Sequence, residues 1–108
     1  MSRPHNLKFT AVQPGELREI DFPLHPQTVS QEAVGAMLEG LLGNLSEFIE
    51  SRGRLSDGDV LQAVCMLLAI RMNMVDAPHG AVQELVAQVL EQADEAVARA
   101  QPQVAGRA

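Results

Sequence analysis

The side chains able to do chemistry in this 108-residue chain are few and scattered. A metal centre needs His, Cys or carboxylate ligands converging on one point, commonly about three or four residues apart on a helix face. The histidines His5, His25 and His79 stand isolated along the chain, so no metal ligand set is expected. A nucleophilic thiolate needs a partly exposed, electropositive setting. Cys65, the single cysteine, lies instead within Ala63-Val64-Cys65-Met66-Leu67, where a free thiol is expected to be a small buried hydrophobe. No catalytic residue, metal site or cofactor is therefore expected.

Arg71 is a permanent cation near the end of the most apolar stretch, and two readings of it stand open. In one it offsets the negative end of a helix dipole or pairs with an acid of a neighbouring helix. In the other it is the anion-binding group of a pocket between helices, with Asn73 hydrogen-bonding the same small ligand. Met66, Met72 and Met74 carry flexible thioethers that either fill a core or, beside Arg71, form an adaptable surface for a protein partner. Gly35, Gly40 and Gly43 each oppose a helix by up to about 1 kcal/mol relative to Ala. Ala36, Gly40, Gly43 and Glu47 align on one side, where a partner helix or an N-terminal hairpin could approach; alternatively the glycines are tolerated on a solvent face or break the helix near Gly40.

The elements that position these residues follow from periodicity. Leu7, Phe9 and Ala11, then Ile20, Phe22 and Leu24, alternate with other residues around Gln13-Pro14-Gly15-Glu16, whose centre suits a type II turn. A β-hairpin or an irregular arm is expected over residues 7–22, ended by Pro23 and Pro26. Thr28 and Gln31 have the spacing of a capping box opening a first helix. Val34, Met37, Leu38, Leu41, Leu42, Leu45, Phe48 and Ile49 make one apolar stripe along it. Gly53 suits a left-handed cap at its end.

Ser56 and Asp59 form a second box before residues 60–75, of which thirteen are apolar and only Gln62, Arg71 and Asn73 are not. A helix apolar on every side must be buried on every side, more than the rest of one chain can supply. Asp76 and Pro78 open a third helix, striped by Val82, Leu85, Val86, Val89, Leu90 and Ala93 and stopped by Pro102. Three helices are expected at about residues 29–52, 57–75 and 77–100, antiparallel through short connections. Residues 1–6 and 101–108 read as disordered ends flanking a single helical domain over 7–100.

Composition narrows the function classes. Fourteen acids against eight bases give a net charge of −6, and only Arg52, Arg54, Arg71 and Arg99 oppose eleven acids between Ser30 and Ala100. That surface repels phosphate, so no direct nucleic-acid partner is expected. The apolar second helix also cannot serve as a recognition helix in a helix-turn-helix, which needs polar side chains for base edges. No stretch has the roughly 20 apolar residues of a membrane span or a secretion signal's apolar run, and the lone thiol suits a reducing compartment, so a cytoplasmic location is expected.

The fold expected is mainly α: three antiparallel helices with a short N-terminal hairpin or arm, sharing a core in a homodimer. The function expected is a non-enzymatic, cytoplasmic protein-interaction, adaptor or regulatory accessory protein. Met66, Met72, Met74, Gly40 and Gly43 are its candidate partner surface. The alternatives are a small-anion or small-ligand-binding protein with a pocket near Arg71 and Asn73, and an acidic inhibitor mimicking nucleic acid, for which Glu84, Glu91, Asp94 and Glu95 would supply the charge.

Overall fold

The computed structural model describes residues 6–13 and 16–103 of the chain. The elements run β1 (Asn6–Gln13), β2 (Glu16–Pro23), α1 (Gln31–Arg52), α2 (Asp57–Met72), α3 (His79–Arg99) and β3 (Gln101–Gln103). Among the described residues the fold is mainly helical, with three helices and an N-terminal antiparallel hairpin rather than an irregular arm. The turn expected at Pro14-Gly15 and the ends at 1–5 and 104–108 lie outside the described residues. Two compact units divide the chain: Met1–Gly35 with Ala87–Ala108, and Ala36–Val86.

In the first unit the hairpin register sets Leu7 opposite Phe22, Phe9 opposite Ile20 and Ala11 opposite Arg18. Because side chains alternate across a strand, this places the apolar residues of both strands on one face. Leu7 and Ile20 are buried and Phe9 and Phe22 half-buried, while Lys8, Thr10, Glu19 and Asp21 are exposed on the other face. A two-stranded ribbon is marginal alone. Here it gains a third strand, because residues 101–103, expected as the start of a tail, pair antiparallel with β2 in the order β1-β2-β3. Pro102 is admissible because β3 is an edge strand needing no N–H on its open side.

Gly35 of α1 lies under the hairpin, and a Cβ added there would stand 3.2 Å from Leu7 Cδ1. Helix and sheet approach at the glycine nearest the helix start, while an added Cβ at Gly40 or Gly43 meets nothing within 4 Å. Asn6 also ties this junction, its carbonyl accepting from Gln31 Nε2 at 2.9 Å.

The cap of α1 is Ser30 rather than Thr28. Its hydroxyl accepts from the Ala33 amide at 3.1 Å and its carbonyl from the Val34 amide at 3.1 Å. Thr28 belongs to the preceding turn, donating its amide to His25 O at 2.9 Å, and Gln31 is engaged with Asn6. At the other end Gly53 has φ of 79°, the left-handed conformation expected of it.

In the second unit, Ser56 and Asp59 make the expected capping box, the Asp59 amide donating to Ser56 Oγ at 3.0 Å and the Ser56 amide to Asp59 Oδ2 at 3.4 Å. α2 ends at Met72, three residues earlier than expected, where Asn73 caps it: the backbone amide donates to Ala69 O at 3.2 Å and the side-chain Nδ2 to the same oxygen at 2.8 Å. An amide side chain that folds back on the last turn competes with a further turn of helix.

Among the described residues the buried apolar ones are Leu7, Ile20, Val82 and Ala96. Neither α1 nor α2 contains a buried residue, and Cys65 is exposed rather than the small buried hydrophobe expected. The residues of α2 are exposed or, at Val60 and Met72, half-buried.

Candidate interaction surface

The second unit holds the largest concentration of uncovered apolar side chains. The stripe read along α1 exists, with Leu41 at 55% and Phe48 at 50% exposure. It borders a groove of about 540 Å³ lined by Leu38, Leu41, Leu45 and Phe48 of α1 with Val64 and Leu67 of α2. The rim of α1 is finished by Arg52, whose guanidinium carbon stands 5.1 Å from the centre of the Phe48 ring. That distance permits a cation–π attraction, which for an exposed pair contributes about 0.5 to 1 kcal/mol. A more polar depression of about 650 Å³ lies on the next face, bounded by Asn44, Glu47, Phe48, Glu50 and Ser51.

Around α2 the exposure continues: Leu61 at 64%, Met66 and Ile70 at 56%. At about 100° per residue Met66 and Ile70 share one face and Leu61 points well away from both, so the exposed surface is wider than one stripe. Apolar area left in water costs about 25 cal/mol per Å² relative to burial, so such a helix is a strong driver of association.

The residues singled out in the sequence are dispersed in role. Arg71 is exposed and its Nη1 donates to Met74 Sδ at 3.0 Å. Asn73 is exposed and its side-chain amide serves the helix end. Neither residue lines either of the two depressions described. Met66 and Met74 are exposed and Met72 half-buried, so Met74 does sit in the open beside Arg71. Gly40 and Gly43 face open space.

His25 Nδ1 accepts from the Gln27 amide at 3.1 Å, a local turn contact, and His79 is exposed at the start of α3. Among the described residues no three His, Cys, Asp or Glu side chains come together in a way that could hold a metal ion, and no helix is long and apolar enough to cross a membrane. On α3 the acids Glu84, Glu91, Asp94 and Glu95 are exposed. Glu95 meets Arg99 at 3.4 Å one turn on, the pairing order favourable to a helix.

Sequence reasoning missed the groove and the Phe48–Arg52 pair. The stripe and the i, i+4 spacing were their signals, but which stripe residues stay uncovered depends on what packs against them. No protein-family model matches the chain, and no curated protein or solved structure shows significant similarity to it.

Proposed function

We propose that the chain is a non-enzymatic protein-interaction protein, an adaptor or regulatory accessory factor that acts as a homodimer. The observation that carries this reading is that α1 and α2 hold the richest apolar patterning in the sequence, yet none of their residues is buried. Natural monomers rarely leave contiguous apolar patches beyond a few hundred Å² uncovered, and larger ones mark interfaces.

A dimer built on α1 and α2 leaves other surfaces of each copy for a further protein.

Sedimentation equilibrium at micromolar concentration tests the assembly: the expected mass is twice 11.7 kDa, and an 11.7 kDa species with full helical circular dichroism overturns it. The accessory role is tested by capture from the native host. A protein retained in fixed ratio to the dimer is expected, and a dimer that retains none while turning over a substrate overturns the non-enzymatic reading.

A further inference from the structure

α2 carries charge only at its two ends. Asp57 and Asp59 stand in its first turn and Arg71 in its last, and between Asp59 and Arg71 the one strongly polar side chain is Gln62. Asp59 is committed to the capping box with Ser56, in which Asp57 takes no part. Arg71 is exposed and, among the described residues, meets the Met74 sulfur rather than a carboxylate.

At about 100° per residue, Asp57, Leu61, Val64, Leu68 and Arg71 share one stripe about 80° wide, with Gln62 well outside it. Their spacing of four, three, four and three residues is that of a helix–helix seam. Leu61, Val64 and Leu68 on it are 64%, 41% and 38% exposed. The seam is self-complementary: it reads acid, Leu, Val, Leu, base, and turned end for end it sets each charge against its opposite. A parallel pair would instead place acid beside acid and base beside base, with both helix dipoles aligned.

Resting on the homodimer reading above, we propose that two copies pair through this stripe, their α2 helices antiparallel about a two-fold axis near Val64. Leu61 packs beside the partner's Leu68, and Asp57 forms an ion pair with the partner's Arg71, twice by symmetry. Isologous contact about a two-fold is the commonest way identical chains close an assembly. Val64 also lines the groove beside α1, so a helix laid along the stripe abuts that apolar surface as well. The occupant is a second copy rather than an unrelated helix because the charges of the stripe complement the stripe itself.

The test measures dimer dissociation constants of the full chain by sedimentation equilibrium for Asp57→Lys, Arg71→Glu and their equimolar mixture, with helix content followed by circular dichroism. Each single reversal turns two attractions into two repulsions and is expected to weaken the dimer about tenfold. The mixture restores opposite charges at both ends and is expected to return to within about threefold of the unsubstituted chain. An unsubstituted chain that is monomeric overturns the homodimer reading and this pairing together. A dimer unaffected by either reversal overturns the antiparallel seam alone, as does weakening without recovery on mixing, which would assign the effect to the helix ends. If either reversal loses helix content, Asp57→Asn and Arg71→Gln replace them, with about threefold weakening expected of each and no change overturning the seam.

Discussion

Ser56 and Gly53 show the residue-scale logic most directly, because each meets a backbone demand that only a few side chains can meet. The Ser56 hydroxyl satisfies an amide that the first turn of α2 leaves free. Ser56→Ala is expected to lower stability by about 1 kcal/mol, read as a shift in the urea midpoint at unchanged slope. Gly53 holds φ of 79° with nothing within 4 Å of an added Cβ, so the cost of Gly53→Ala is conformational rather than steric. About 1 to 2 kcal/mol of lost stability is expected in the same assay. Both residues were legible in the sequence because a cap is a local device. The cap of α1 was legible only as a region: Thr28 and Ser30 both precede the helix, and Gln31, which would complete a box with Thr28, is held by Asn6 across 25 residues of chain. Local spacing carries no record of such a distant partner. Cys65 is exposed for a related reason, since apolar neighbours in sequence need not be apolar neighbours in space.

Among the elements, the helices and the hairpin could be read because their periods, near 3.6 and 2, follow from backbone geometry alone. The third strand could not, since Gln101–Gln103 have no alternation to show and pair only because β2 leaves an edge open to them. The glycines of α1 separate two kinds of environment within one helix. Gly40→Ala and Gly43→Ala are each expected to stabilise the chain by about 0.5 to 1 kcal/mol, since open space receives the methyl group and the unfolded state loses freedom. Gly35→Ala meets Leu7 Cδ1 at 3.2 Å and must displace it. Its thermal midpoint is expected to fall below those of the other two variants, with the hairpin loosened. A second chain lying against Gly40 and Gly43 would reverse the sign there, so the three midpoints together also report which side of α1 is free.

At the scale of the whole molecule the physical problem is a sequence with ample apolar content and a single chain that buries little of it. That mismatch was legible in part: the run from Val60 to Val75 is too apolar to face water, but a period with no polar side says nothing about which side a partner takes. The ends of α2 supply that information, because charge marks direction where hydrophobicity does not. If the missing cover is a second copy, folding and association are one equilibrium, and stability depends on concentration by mass action. Each tenfold increase in protein adds about 1.4 kcal/mol per dimer, and a dimer of this length has an unfolding entropy that converts this to about 3 °C. Thermal unfolding by circular dichroism across a hundredfold range of concentration is thus expected to move the midpoint by about 6 °C. Asp57→Lys and Arg71→Glu, each with a weaker dimer, should start from lower midpoints yet keep the same slope, whereas a midpoint independent of concentration would mean that each chain buries its apolar helices without a partner.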